Sequence, residues 1–285
     1  MAYLDAMDER TGFLPTEATR DLGKELAARY QAADPFPSIT IDDFLPTKLA
    51  DEMLAHFGPA HDSDETRTFD RDQERYKSSY HPDTVDDVAR SVFYAFNSRP
   101  FIRVLENITG IKGLIPDPYF LGAGFHEIKT GGHLSVHADF NHHKPLNVER
   151  RINVLIYLNK DWEDAFGGQL ELWDTAMTRR VQSLVPSFNR CVIFNTTSDS
   201  MHGNPNVVRH PRDVSRKSIA LYYYTSTWTD LKRSHDTQFR VRPSSADRTD
   251  WQVRIDGAMQ DYVPPVLLRG MKRAMRGVRR LTARG

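Results

Sequence analysis

Apolar positions along the chain change their spacing near Pro118. Before it they recur at helical intervals, as in the stripe of Val85, Val88, Val92, Phe93 and Phe96. That spacing predicts helices over 84–97 and 100–108, the second ended by Gly110. A helix is also expected over 46–57, closed by Gly58-Pro59, and a peripheral one within 16–33, stopped by Asp34-Pro35-Phe36-Pro37. Residues 38–45 alternate like a short strand, whereas the charged stretch 61–77 has neither period and reads as a long loop. From 119 to 224 short apolar runs are separated by turn residues. They predict strands near 120–129, 133–138, 151–158, 169–173, 180–185, 190–195, 204–209 and 216–225. About eight strands in about 105 residues is what a double-sheet jelly roll requires. The expected fold is mainly β with flanking helices. A double-stranded β-helix (jelly roll) core over about 119–226 is packed by N-terminal helical support from 1–118. The two form one domain spanning 1–265, followed by a tail over 266–285.

Composition narrows this picture. Hydrophobic residues at 39% and charged residues at 27% fit a globular chain, and a formal net charge of zero gives no global field to attract nucleic acid, so no nucleic-acid partner is expected. No run approaches the roughly 18 apolar residues of a transmembrane segment. The single cysteine, Cys191, lies in the apolar run Cys191-Val192-Ile193-Phe194 and reads as a buried strand residue. The first ten residues lack the basic and apolar regions of a signal peptide, so the expected setting is reducing and cytoplasmic. The tail carries Arg269, Lys272, Arg273, Arg276, Arg279, Arg280 and Arg284 with no acidic residue. It reads as a solvated terminus, or else as a helix making weak contact with an anionic membrane or a partner. Nothing in the sequence sets the oligomeric state.

The chemistry concentrates in the β region. Five of the eleven histidines fall between His126 and His143. In an extended segment His137 and Asp139 project from one face, and His202, in a polar turn far along the chain, offers a third ligand. Two imidazoles and one carboxylate on one side of an ion, with the other side open, suit non-haem Fe(II). The helical zinc pattern is excluded, because His126-Glu127 has no histidine three residues on. Arg216 and Ser218 share a strand face, where a guanidinium and a hydroxyl make a receptor for a carboxylate. Asn141, His142, His143 and Lys144 follow the first two ligands and are placed at the pocket mouth, and Arg75 lies in a charged segment that could form a lid. Asn141, His142 and Arg75 are therefore candidate substrate contacts, each with a solvated surface role as the alternative. Trp173, Tyr222 and Tyr224 read as core or pocket wall.

These segments resemble the Fe(II)- and 2-oxoglutarate-dependent dioxygenases, in their prolyl-4-hydroxylase-like branch. The resemblance rests on His137-Ala138-Asp139, Arg151 to Asn159, Trp162, Gly167-Gly168-Gln169-Leu170-Glu171-Leu172-Trp173, His202 and Arg216-Lys217-Ser218, in that order. It implies Fe(II) held by His137, Asp139 and His202, and 2-oxoglutarate as co-substrate, its far carboxylate on Arg216 and Ser218. Where such enzymes often carry a tyrosine that touches 2-oxoglutarate, Ile128 falls here, with His126 on the same face as a substitute. Asp139 is unlike the related halogenases, which have a small residue there. The implied reaction consumes O2, hydroxylates an unactivated carbon of a prolyl, peptidyl or small biosynthetic substrate, and releases succinate and CO2, with ascorbate as an expected stimulant. Two alternatives stand beside it. One is a catalytically silent jelly-roll domain that binds a ligand or partner; the other is a cupin-like metal enzyme that does not use 2-oxoglutarate.

Overall fold

The computed structural model describes residues 1–57, 66–229, 231–243, 245 and 247. Thirteen strands occur among them. In chain order they are β1 (Ser38–Ile41), β2 (Arg67–Arg71), β3 (Glu74–Tyr80), β4 (Ile115–Pro116), β5 (Gly124–Ala138), β6 (His142–His143) and β7 (Val148–Tyr157). Then come β8 (Leu170–Trp173), β9 (Arg180–Leu184), β10 (Arg190–Asn195), β11 (His202–Asn204), β12 (Arg216–Thr225) and β13 (Gln238–Phe239). Four α-helices lie ahead of β4 in the chain: α1 (Ala27–Gln31), α2 (Thr47–Ala55), α3 (Asp87–Phe96) and α4 (Arg99–Thr109). The strands hydrogen-bond in the order β1-β10-β7-β12-β5-β11-β8-β9, with β3 and β13 also on β5. The sheet curls on itself as the jelly roll expected from the strand pattern.

Strand β5 is the turning point. Its first half pairs with β12 and its second half with β11, so one strand belongs to both walls of the roll. The expectation of two strands broken at Gly131-Gly132 is corrected: the glycines bend a single strand. A Cβ on Gly132 would lie 2.6 Å from the Arg75 carbonyl oxygen, so only glycine lets β3 approach this closely. A strand over 204–209 is likewise shortened and shifted to His202–Asn204, because Pro205 has no N–H to extend the ladder.

One face of β7, β10 and β12 carries Ile152, Val154, Ile156, Cys191, Ile193, Ile219, Leu221 and Tyr223. Together with Phe93, Phe96, Phe101, Leu105 and Ile108 from α3 and α4 they form the main core. Asp86 caps α3 by accepting from the Ala89 amide, and Gly110 ends α4 at φ 70°. The Tyr223 hydroxyl donates to the Phe96 carbonyl at 2.9 Å, which ties the helical layer to the sheet.

Two further expectations are corrected. The helix within 16–33 shrinks to one 3₁₀ turn and α1, because Gly23 takes φ 96° and the Asn107 side chain on α4 holds the Leu22 carbonyl at 2.9 Å. Tertiary anchoring overrides helix propensity there. In the stretch 61–77, residues 61–65 lie outside the described residues, but 67–80 form the β2–β3 hairpin. Phe69, Tyr76 and Tyr80 stand there among charged and polar residues, so no run of alternating apolar positions marked it. The described residues fall in the unit Met1–Asp247. The unit Arg248–Gly285 lies outside them, and with it the domain end at 265 and the basic tail. Among the described residues no helix is long and apolar enough to cross a membrane.

Candidate metal and dicarboxylate site

His202 on β11 stands opposite His137 on β5 in register, so pairing of two strands brings together residues 65 positions apart (202 − 137). The ligand atoms of His137, Asp139 and His202 lie within 4.8 Å of one another. His137 Nε2 is 3.4 Å from Asp139 Oδ1, and His202 Nε2 is 3.3 Å from Asp139 Oδ2. The opposite ring nitrogens donate to backbone carbonyls, His137 Nδ1 to Ser135 at 2.8 Å and His202 Nδ1 to Ser200 at 3.0 Å. A carbonyl can only accept, so Nδ1 carries the proton and each Nε2 presents its lone pair to the shared space. Phe194 and Phe239 pack on the imidazoles at 4.7 and 5.3 Å between centroids, which screens the donors from bulk water. This donor set fits a ferrous ion. A second trio, Glu52, His56 and Asp86, is mostly exposed, and its Asp86 is already spent on capping α3.

Asp139 is held by a clamp that sequence reasoning missed. Arg150 Nη2 lies 3.0 Å from Asp139 Oδ2, and the Asn153 amide donates to the same oxygen at 2.7 Å. The Asn153 carbonyl oxygen in turn accepts from Arg150 Nη2 at 2.6 Å. The Arg150 side chain is 1% exposed and lies under the rings of Tyr222, at 3.5 Å, and Phe140, at 4.4 Å. Burial alone would push the Asp139 carboxyl up, but the Arg150 guanidinium beside it outweighs burial and holds the carboxyl well below its usual range. Strict alternation puts Arg150 with Ile152 and Val154 on the helix-facing side. The register slips by one residue at Arg151, where Tyr223 pairs with Ile152 and Tyr224 with Arg150. That bulge turns Arg150 into the pocket. A charged residue in phase with a core stripe was the available signal.

The second half of the site lies on the pocket face of β12. Ser218 stands opposite Tyr157 on β7 and opposite His126 on β5, and Arg216 stands opposite Ile128. Arg216 is 5% exposed, and its Nε donates to the Gly168 carbonyl at 2.7 Å, leaving the Nη edge for a ligand. A Cβ on Gly168 would meet Arg216 Cδ at 2.9 Å, so the glycine turn makes room for the guanidinium. The Tyr157 ring lies 4.9 Å from the guanidinium carbon, and its buried hydroxyl has no hydrogen-bond partner among the described residues. Burial pushes that hydroxyl up despite Arg216, so it stays protonated and able to donate. A buried guanidinium beside an unpartnered hydroxyl fits a carboxylate. Leu170, Leu172, Val192 and Phe194 make the apolar lining.

The remaining candidates occupy other surroundings. His126 Nε2 donates to the Gly122 carbonyl at 3.0 Å, so its other nitrogen is an acceptor and Tyr157 is the better donor to a carboxylate. Asn141 bonds the Arg233 carbonyl at 2.9 Å and the His235 amide at 3.0 Å. His142 stacks on Trp228 at 3.9 Å. Both therefore pin the segment that leads to β13. Arg75, on β3, lies over the Tyr76 ring at 4.9 Å.

Burial, then Lys77, pushes His126 down to about 3, against an ordinary 6.5. The unfolded chain then binds a proton that the folded one refuses, so acid favours unfolding. Stability conferred by the neutral ring is complete above about pH 6.5 and is lost progressively as pH falls toward 3. With partial solvent access to the ring, about 1–2 kcal/mol is expected to go over the first two pH units. His126→Gln, which keeps a donor for Gly122 but cannot titrate, should flatten this acid limb in thermal melts. An unchanged limb would remove His126 from the account.

Comparison with known proteins agrees with this geometry. Residues 123–224 match the family described as the 2OG-Fe(II) oxygenase superfamily. The mouse Prolyl 3-hydroxylase OGFOD1 is 34% identical over 84 residues, which is 28% of this chain and 15% of that protein's length. A Trichoplax adhaerens prolyl hydroxylase, solved with a hypoxia inducible factor oxygen degradation domain peptide fragment, superposes with TM-score 0.53 at 17% identity. That match covers 73% of this chain and 91% of the other. A Phytophthora capsici prolyl 4-hydroxylase gives TM-score 0.50 at 17% identity over 74% and 66% of the two chains. At such identities the structural likeness speaks to the fold. The matched segment 123–224 spans the triad and the Arg216 strand, so this part of the chain is similar to the 2OG-Fe(II) oxygenase superfamily.

Proposed function

We propose that the chain is a 2-oxoglutarate-dependent hydroxylase of a peptidyl prolyl group. The observation that carries the chemistry is the pairing of an imidazole–carboxylate triad with a buried Arg216 and an unpartnered Tyr157 hydroxyl on facing walls of one roll. His137, Asp139 and His202 would hold Fe(II), and Arg216, Tyr157 and Ser218 the far carboxylate of 2-oxoglutarate. Bound there, the pair supplies an oxidant drawn from O2, with succinate and CO2 as co-products. The chain's own part is positional. The Ser135 and Ser200 carbonyls orient the two imidazoles, and Arg150 and Asn153 fix the carboxylate. The aromatic rings exclude water from the donors.

A peptide suits the mouth better than a compact metabolite. A groove of about 280 Å³, lined by Arg67, Ser79, His81, Tyr119 and Gly122, runs beside the pocket wall. It abuts the pocket because the Gly122 carbonyl accepts from both Tyr222 and His126. An extended chain could lie there while one residue turns inward. The prolyl hydroxylase relatives support the same reading.

With Fe(II), ascorbate and 2-oxoglutarate, succinate release is expected to rise on adding proline-containing peptides, and the peptides should gain one oxygen by mass. Stimulation by small cyclic substrates but by no peptide would favour a small biosynthetic substrate. No 2-oxoglutarate turnover under any condition would favour a silent binding domain.

A further inference from the structure

Asn204 is a buried amide, 3% exposed, whose Nδ2 is satisfied by nothing among the described residues. Leaving such a donor unpaired costs stability, so its surroundings matter. Along β11, Asn204 is two residues from His202; the register slips between them, with the extra residue on β5, so the two share a face of β11. In register it stands opposite Leu134 on β5. Leu134 packs with Ile128, Trp162 and Val208, and Ile128 is the partner of Arg216 across β5 and β12. Val208 also crowds Gly168 from the same side as the Arg216 side chain. Asn204 therefore sits on the wall between the metal ligand His202 and the guanidinium of Arg216. A dicarboxylate that joins the ion to Arg216 must pass it.

On the proposed-function reading, we infer that Asn204 donates a hydrogen bond to an oxygen of bound 2-oxoglutarate, as a polar anchor additional to Arg216 and Tyr157. The unpaired amide is the cofactor-free half of that bond. Removing it should therefore act in opposite directions on the two states. The cofactor-free protein loses a buried unpaired donor, while the complex loses a hydrogen bond to a charged ligand. A purely structural asparagine would shift both states together.

The test titrates 2-oxoglutarate calorimetrically into the anaerobic, Fe(II)-loaded protein, and melts the protein without either. Asn204→Val is expected to weaken 2-oxoglutarate about tenfold or more. It should also raise the Tm of the cofactor-free protein by roughly 2–4 °C and leave Fe(II) affinity unchanged. Asn204→Ala, which cannot overfill the site, should show the same loss of 2-oxoglutarate affinity and serves if the valine variant does not fold. Wild-type affinity in the variants, or a fall in Fe(II) affinity of equal size, would overturn the role of Asn204. Failure of the wild-type protein itself to bind 2-oxoglutarate would instead overturn the functional reading on which this one rests.

Discussion

Asp139→Ala is expected to reduce turnover to background and also to destabilise the fold by about 3–5 kcal/mol. The first effect follows from loss of the only carboxylate in the triad. The second follows from Arg150, whose buried side chain would be left facing a void in place of its carboxylate. Its remaining partners, Asn153 and the two aromatic rings, satisfy hydrogen bonds and polarisability but carry no countercharge. His137→Ala removes a ligand without stranding a charge, so it should match the loss of turnover with a smaller loss of stability. Succinate release and thermal unfolding on both variants separate the two effects. Equal stability of the two would show that the Asp139–Arg150 pair contributes nothing net, an outcome that buried ion pairs do sometimes give.

Arg216→Ala should raise the 2-oxoglutarate requirement about a hundredfold, the scale of a lost bidentate ionic hydrogen bond in a dry site. Fe(II) affinity should stay at the wild-type level, because Arg216 belongs to β12 and is bonded to Gly168, away from the β5–β11 pair that carries the ligands. The readouts are the 2-oxoglutarate dependence of succinate release and an Fe(II) titration without 2-oxoglutarate. A cupin-like enzyme with no need of 2-oxoglutarate predicts no change in the first. Loss of metal binding in the second would mean that the guanidinium supports the triad, not the co-substrate.

How much of this was legible beforehand differs residue by residue. His137 and Asp139 were readable as neighbours because a strand's two-residue period puts them on one face whatever surrounds it. Arg216 and Ser218 were readable for the same reason. Tyr157 lies within the run Arg151 to Asn159, where an apolar stretch reads as wall until its hydroxyl is seen to lack a partner among the described residues. The β2–β3 hairpin was hidden because Phe69, Tyr76 and Tyr80 are scattered among charged residues, and β5 beside it supplies the reason for extension. Asn141 and His142 were placed at the mouth by chain proximity to the ligands, yet their bonds run to the segment 228–235.

The amino-acid order by itself determined the local periods, the switch from helix to strand near Pro118, and the type and pairing of ligands within one strand. These depend on φ/ψ periodicity and hydrogen-bonding capacity, which act over a few residues. Only the tertiary structure decided that β11 lies against β5, that a one-residue slip at Arg151 turns Arg150 inward onto Asp139, and that the Asn204 amide and the Tyr157 hydroxyl are buried with no partner among the described residues. Register and bulges are set by cross-strand packing over long separations, and no local spacing encodes them.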